Sequence, residues 1–331
     1  MRPQWQFHGT EIDELNTTWA RKNVALNNMA SRIQVHRNTA SRNTLSLDAM
    51  GIEFADFVMC NPPFYKSKED MQRSLAKDTP PSSVCTGADV EMITDGGDAG
   101  FAVRIVEESA GLGERVQWYT CMLGKLSSLT VVVEKLRELG CQNWAIGCLV
   151  PGNKTRRWVV GWSWDNLRPA SVSIRLDELP SVTNLRVSYL LVGQKIARGN
   201  IPNKDLLPFP TEYSIDIAKQ DIGTVGSIVD DTMVQLGLKW SWDWATTSGI
   251  ASAAENVWSR SARRKKRKRD VIASPELDGD KDAPSDAVAL AVRISLQPQR
   301  VDVRWLKGSD SIMFESFCGM LKRRILTNER S

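Results

Sequence analysis

The first half of the sequence alternates short apolar runs with longer stretches in which apolar residues recur at helical spacing. Strands and helices that alternate in this way pack as a sheet covered by helices. We expect strands at residues 5–11, 32–36, 54–60 and 116–122. We expect helices at residues 13–28, 98–110 and 126–139, the second of them capped by Asp98. The pattern predicts an α/β domain, in which the mostly apolar residues 54–60 form a strand buried on both faces.

A tryptophan-rich stripe follows in a predicted hairpin of residues 144–149 and 157–164. Apolar side chains alternate along its second strand and therefore share one face: Trp158, Val160, Trp162 and Trp164. Such a stripe could stack nucleic-acid bases, but aromatic side chains of this kind more commonly pack in a core. We expect the stripe to be buried.

The second half of the chain predicts a smaller α+β domain that is interrupted by a polar insert. We place the first domain at residues 1–178 and the second at residues 181–258 and 287–331, with the insert at residues 259–286. Apolar residues alternate through residues 292–296 and 301–305 and recur at helical spacing through 314–325, which predicts two strands and a helix. Residues 270–286 are polar and contain prolines and glycine, so we expect them to be disordered.

Basic charge is concentrated in one short segment. Eight basic residues lie between positions 260 and 269, which is twice the net charge of +4, so the rest of the chain is slightly acidic. A run of this density is typical of a nuclear-localisation signal or a nucleic-acid contact, although a solvated linker is an alternative. The residues that we expect to contact RNA here are Arg263, Arg264, Lys265, Lys266, Arg267, Lys268 and Arg269.

The composition argues against several other classes of protein. The six cysteines form no C-x-x-C pair and are accompanied by only two histidines, so we expect free thiols and no metal ion. No apolar run approaches the roughly 20 residues needed to cross a bilayer. The first ten residues lack the pattern of a secretory signal. These observations predict an intracellular, soluble protein that does not associate with a membrane and is directed to the nucleus.

A short motif, Asn61-Pro62-Pro63-Phe64, follows the apolar run of residues 54–60. Ligands bind at the carboxyl ends of strands in open α/β sheets, so the motif lies where a substrate is expected. Its two prolines lack N–H donors, and the Asn61 side chain adds an acceptor to their carbonyls. An exocyclic amine has two N–H donors that suit these acceptors. Asn61 Oδ1 would accept one N–H and the Pro62 carbonyl the other. Phe64 would stack on a base that has left its neighbours.

The motif alone leaves other interpretations open. A proline turn after a strand is the simplest of them. Methylation of protein glutamine or of DNA through the same groups would use Asn61 equally well, but it accounts poorly for the second domain and the basic run.

Further motifs occur in order through the first half of the chain. They are Pro80-Pro81-Ser82-Ser83-Val84, Thr86-Gly87, Glu91-Met92, Gly96-Gly97-Asp98, the run from Trp118 to Lys125, Arg157-Trp158 and Trp162-Ser163. With residues 56–64 they resemble the methyltransferase-like 16 family, the U6 small nuclear RNA adenine-N6 methyltransferases. A weaker similarity covers residues 254–258 and 301–325. The resemblance implies a Rossmann-like class I methyltransferase sheet that uses S-adenosyl-L-methionine, followed by a small α+β domain that grips the RNA.

The resemblance also implies roles for single residues. Glu11 matches the acidic residue that holds the cofactor ribose, and Thr44 matches a residue that lines the adenosine pocket. Asn61 faces both the cofactor and the adenine, while Phe64 stacks on the base.

Four basic residues match or occupy positions that contact RNA in the family: Arg73, Lys77, Lys154 and Arg157. The loop that carries the first two is shorter and poorer in arginine than is usual in the family, which weakens the expectation of RNA gating there.

The family places a first strand and a glycine-rich turn ahead of the strand at residues 5–11, and the present sequence starts after both. The resemblance implies that this first strand lies between the Glu11 strand and the Asn61 strand. We therefore expect a methyltransferase sheet that lacks its central strand, in which the two neighbours either pair directly or leave their edges unpaired. A non-catalytic RNA-binding protein derived from such an enzyme is the alternative.

Overall fold

The computed structural model of the chain describes two compact units. The described residues are 4–39, 43–75, 88–149, 156–169, 206, 208–217, 220–259, 261–262, 264 and 288–327. Residues up to 165, with Leu206, belong to the first unit, and residues 166–169 belong with those from 208 onward to the second. The expected boundary at 178–181 and the expected disorder at 270–286 lie outside the described residues.

The first unit begins with a small parallel pair of strands covered by a helix. Strands β1 (Phe7–Glu11) and β2 (Ile33–Arg37) pair in parallel, and helix α1 (Glu14–Leu26) connects them. The carboxylate of Asp13 accepts a hydrogen bond from the Asn16 N–H at 2.8 Å, which satisfies an unpaired donor at the start of α1. All three predicted elements are confirmed.

A four-stranded mixed sheet forms the rest of the first unit. Its strands are β3 (Ala55–Cys60), β4 (Val116–Leu123), β5 (Trp144–Leu149) and β6 (Arg157–Trp162). The order is β3-β4-β6-β5, parallel between β3 and β4 and antiparallel elsewhere, which confirms the predicted hairpin. The helices of this part are α2 (Lys68–Leu75), α3 (Asp89–Met92), α4 (Gly97–Leu112) and α5 (Leu126–Glu138).

The tryptophan stripe belongs to the core of this sheet. Trp158 and Trp162 are buried, and the Trp162 ring stacks on Tyr119 of β4 with centroids 5.6 Å apart. The indole N–H groups of Trp162 and Trp164 both donate to the buried Ser109 hydroxyl of α4. Because these polar indole atoms are satisfied internally, burial costs little, and the predicted packing role is confirmed.

The strand that precedes the Asn61 motif is not buried on both faces, so that prediction is wrong. Met59 of β3 is 80% exposed and Phe57 is 39% exposed. Strands β1 and β3 belong to separate sheets, and no strand among the described residues pairs with the second edge of either. The rings of Trp5, which precedes β1, and of Phe57 in β3 contact each other with centroids 5.5 Å apart. The second expected arrangement, unpaired edges, is the one observed.

The second unit is a five-stranded antiparallel sheet with two helices. Its strands are β7 (Glu212–Asp216), β8 (Lys239–Asp243), β9 (Ser248–Ala253), β10 (Leu290–Gln297) and β11 (Arg300–Lys307), in the order β7-β11-β10-β9-β8. The helices are α6 (Ile222–Leu236) and α7 (Ser311–Thr327). The predicted strands β10 and β11 and the predicted helix α7 are confirmed. Among the described residues of the whole chain, no helix has the length and apolar character to cross a bilayer.

Candidate active site

A large open cleft lies between β1 and β3. It encloses about 1840 Å³, which exceeds the roughly 300–1,000 Å³ of a site for one small ligand. Its lining includes all of β1 and β3, so this volume contains the gap between the two strands as well as the site at their carboxyl ends. Six residues predicted to bind the cofactor or the adenine line it: Glu11, Thr44, Asn61, Pro62, Pro63 and Phe64.

Glu11 is fixed at the carboxyl end of β1 by two backbone contacts. Its Oε1 accepts a hydrogen bond from the Asp13 N–H at 2.8 Å, and its carbonyl accepts one from the Asn38 N–H at 2.8 Å. The carboxylate is thereby held where ligands bind in open α/β sheets. An acidic acceptor in this place suits the two hydroxyl donors of a ribose.

The loop that carries Thr44 is held by a carboxylate that the sequence did not indicate. Glu108 of α4 accepts the Thr44 N–H through Oε1 at 3.0 Å and the Leu45 N–H through Oε2 at 2.8 Å. This two-point contact joins residues 63 and 64 positions apart in the chain and orients one wall of the cleft. Glu108 is a positioning residue, and only its place on the inner side of a predicted helix could have suggested it.

The backbone after the Asn61 motif is tied to the segment that leads into α4. The Tyr65 N–H donates to the Met92 carbonyl and the Thr94 N–H donates to the Tyr65 carbonyl, both at 3.0 Å. Pro62 is buried, whereas the side chain of Asn61 is exposed toward the cleft that it lines. The loop thus presents Asn61 from a fixed backbone, which is what positioning of a reacting amine requires.

Phe64 is packed between two groups from distant parts of the chain. The Arg157 guanidinium lies 5.2 Å from the centroid of its ring, within the range of a cation–π contact. Gly124 lies against the ring edge so closely that an added Cβ would be 3.1 Å from Phe64 Cδ1. The structure therefore brings together the predicted base-stacking residue and one of the predicted RNA contacts.

Asp98 does not cap α4, which corrects the prediction. Gly96 precedes the helix in the left-handed region, with φ 71°, and Asp98 lies within its first turn. Its carboxylate accepts hydrogen bonds from the Gly124 N–H and the Ser128 hydroxyl, each at 2.7 Å. Asp98 is buried, so these bonds replace its hydration and lock the loop between β4 and α5 beside Phe64.

Comparison with known proteins assigns the chain to a family. The family described as RNA methyltransferase matches residues 2–166. The chain is 34% identical over 326 residues to the U6 small nuclear RNA (adenine-(43)-N(6))-methyltransferase of Schizosaccharomyces pombe, a match that covers 98% of this chain and 74% of that protein. The chain belongs to the methyltransferase-like 16 family.

Another member of the family and a solved structure each match about half of this chain. The RNA N(6)-adenosine-methyltransferase mettl16 of Xenopus laevis is 38% identical over 166 residues, which is 48% of this chain and 30% of that protein. The crystal structure of the hMettl16 catalytic domain in complex with the MAT2A 3'UTR hairpin 1 is 36% identical and covers 48% of this chain and 56% of that one, with a TM-score of 0.44. The match thus spans less than a third of the frog relative.

Membership of the methyltransferase-like 16 family identifies the cofactor class as S-adenosyl-L-methionine and the substrate class as RNA. The cleft residues fit this cofactor. Glu11 would provide a carboxylate for the ribose, and the loop held by Glu108 would provide backbone and the Thr44 hydroxyl for the adenosine end. Bound there, the cofactor would supply an electrophilic methyl group.

Two of the remaining predicted RNA contacts lie within the described residues. Arg73 is an exposed residue of α2, and its Nε donates to the Glu69 carbonyl of the same helix at 3.3 Å. Arg264 is exposed in the second unit. Eight others fall outside the described residues: Lys77, Lys154, Arg263, Lys265, Lys266, Arg267, Lys268 and Arg269.

Proposed function

We propose that this chain carries the adenine-accepting side of an S-adenosyl-L-methionine-dependent RNA adenine-N6 methyltransferase that acts in the nucleus on U6 small nuclear RNA or a similar structured RNA. One observation supports this above the others: Asn61, Phe64 and Glu11 line one cleft at the carboxyl ends of parallel strands. The name of the fission yeast relative supports U6 RNA as the substrate.

The Asn61 motif contributes to the reaction by positioning the adenine amine. Asn61 Oδ1 and the Pro62 carbonyl each accept one N–H of the adenine amine, which fixes the direction of its lone pair. S-adenosyl-L-methionine bound in the cleft would supply the methyl group, and the amine proton would be lost to solvent. Alignment of two reactants in this way can supply roughly 7–11 kcal/mol of the barrier.

Phe64 receives the adenine ring, and Arg157 contributes to the same step. The guanidinium lies against the ring that the base needs, so we expect it to leave the ring as the adenine stacks and to bind an RNA phosphate. Base entry and phosphate binding are then coupled through one side chain.

A second candidate is a non-catalytic RNA-binding protein of the same descent. The unpaired edges of β1 and β3 favour it, because no described residue supplies the backbone that would approach the methionine end of the cofactor between them. Cofactor binding separates the two candidates, since only the enzyme needs it.

The test uses an extended version of the chain. This fusion carries, ahead of Met1, the first strand and glycine-rich turn expected of the family, taken from the fission yeast relative. It should form N6-methyladenosine in a U6-type transcript, and a transcript with the target adenine replaced by guanine is the matched control. Binding of both transcripts without methylation of either would support the non-catalytic alternative.

A further inference from the structure

Two thiols lie side by side directly behind the Asn61 motif. Cys60 is the last residue of β3, and Cys121 of β4 is its partner in the parallel register. Partners in a parallel register project their side chains from the same face of the sheet, so the two sulfur atoms are neighbours. Neighbouring strands are about 4.8 Å apart, which lies inside the Cα separation of about 4.4–6.8 Å that a disulfide spans. The backbone therefore already has the spacing of a cross-strand disulfide.

The environments of the two thiols differ in a way that assigns separate roles. Cys60 is half-buried and lines the cleft, so a small solute reaches it. Cys121 is fully buried. The hydrogen bond with Cys121 lowers the pKa of Cys60, whereas that bond and burial raise the pKa of Cys121. The thiolate is the reactive form, so Cys60 reacts first and Cys121 resolves the product.

We infer that Cys60 and Cys121 form a reversible oxidation site for hydroperoxides. The Cys60 thiolate attacks one peroxide oxygen, the O–O bond breaks, and the released hydroxide takes up a proton to become water. The Cys121 sulfur then attacks the sulfur of the Cys60 sulfenic acid, and the S–O bond breaks. The second hydroxide leaves as water with the Cys121 proton. Two thiols lose two electrons in total, and one hydrogen peroxide becomes two waters.

The disulfide would act on the motif because Cys60 immediately precedes Asn61. The strand spacing lies at the short end of the disulfide range, whose commonest Cα separation is about 5.5–6 Å, so the link widens the gap between the end of β3 and β4 and shifts the carboxamide that holds the amine. A displacement of about 1 Å in such a site can lower the rate about 100-fold. This consequence rests on the proposed function, and we expect the oxidised protein to lose at least about tenfold in methyl transfer.

Peptide mapping tests the site on the 331-residue chain itself. Trypsin releases residues 43–66 and 116–125, each with a single cysteine. After brief treatment with hydrogen peroxide, the two peptides should be recovered linked to one another, and dithiothreitol should separate them. Cys121→Ser should leave Cys60 as a sulfenic acid that dimedone traps. Cys148→Ser is the matched control, since Cys148 lies opposite Trp158 on β6, and it should leave the link intact.

The outcomes test the oxidation site separately from its effect on methyl transfer. Unlinked peptides after peroxide, or faster oxidation of Cys318, whose pKa burial raises to about 12, would overturn the oxidation site. A complete link in the extended version with an unchanged methyl-transfer rate would overturn the effect on Asn61. Absence of methyl transfer in the reduced extended version would count against the proposed function, while the peptide map still decides the oxidation site.

Discussion

Phe64 is held by two residues that lie 60 and 93 positions after it in the chain, Gly124 and Arg157. The glycine leaves room for the ring, and the guanidinium covers it. Residues from three segments of the chain thus set the orientation of the Phe64 ring. The stacking role itself can be predicted from the motif alone.

Replacing Gly124 by alanine should lower methyl transfer by the extended version several-fold while leaving its fold intact. The added Cβ would lie 3.1 Å from Phe64 Cδ1 and would push the ring by a few tenths of an ångström. Gly111→Ala is the control, because an added Cβ there meets nothing within 4 Å. Steady-state rates of the two variants provide the measurement, and equal rates would show that the ring position is not critical.

At the residue scale, residues expected to bind or react are easier to predict from the sequence than the residues that hold them in place. The sequence predicts Asn61 because its motif follows a recognisable strand, where ligands bind in open α/β sheets, and it predicts Glu11 through the resemblance to the family. Glu108 could not be predicted, since its role depends on two N–H groups more than 60 positions away. The sequence predicts that Asp98 caps a helix. Its buried carboxylate instead accepts a hydrogen bond from the Gly124 N–H, 26 positions later in the chain.

The helix α4 organises the cleft at the scale of secondary structure. Its first turn supplies Asp98, which holds the loop beside Phe64, and its fourth supplies Glu108, which holds the loop with Thr44. The same helix therefore positions two walls of the cleft. A shift of α4 should change the geometry of the site.

Replacing Glu108 by alanine should weaken cofactor binding to the extended version by about tenfold or more. The variant leaves the Thr44 and Leu45 N–H groups without their acceptor, at about 1–3 kcal/mol for each buried group. The neighbouring Glu107→Ala is the matched control, since the exposed Glu107 forms an ion pair with Lys135 and does not line the cleft. Titration calorimetry compares the two, and equal dissociation constants would show that this loop does not contact the cofactor.

Elements were predictable where apolar periodicity was strong and were missed where it was not. The buried stripes of α5 and α7 identify both helices. Strand β8 was missed because its tryptophans alternate with lysine, serine and aspartate, a pattern that also suits a loop. The apolar run of β3 predicts a buried strand, but apolar composition cannot reveal whether a neighbouring strand pairs with the edge of β3.

At the scale of the whole molecule, the chain combines a catalytic unit with a separate α+β unit interrupted by basic residues. We expect the basic run to direct nuclear entry and to add RNA affinity. Replacing the seven basic residues at 263–269 with glutamine should move a fluorescent fusion to the cytoplasm and flatten the salt dependence of RNA binding. An unchanged distribution would contradict the targeting role, and an unchanged salt slope would contradict the RNA contact.

The polypeptide of the 331 residues alone should bind S-adenosyl-L-methionine very weakly. Glu11 and the Asn61 loop would hold the ribose and the reacting end. In the described part of the chain, however, no strand pairs with the second edge of β1 or β3, where the backbone of a glycine-rich turn would approach the methionine end. Calorimetry on this polypeptide, with the extended version as control, should give little heat. A dissociation constant in the low micromolar range would mean that other residues complete the pocket.

The central claim is that Asn61 positions the adenine amine for methyl transfer. The most direct test measures N6-methyladenosine formed by the extended version and by its Asn61→Ala variant on the same U6-type RNA. We predict a loss well beyond tenfold with nearly unchanged RNA affinity, because phosphate contacts elsewhere provide most of the binding. Retention of more than about a tenth of the rate would contradict the claim, since the side chain would then contribute less than about 1.4 kcal/mol to the transition state.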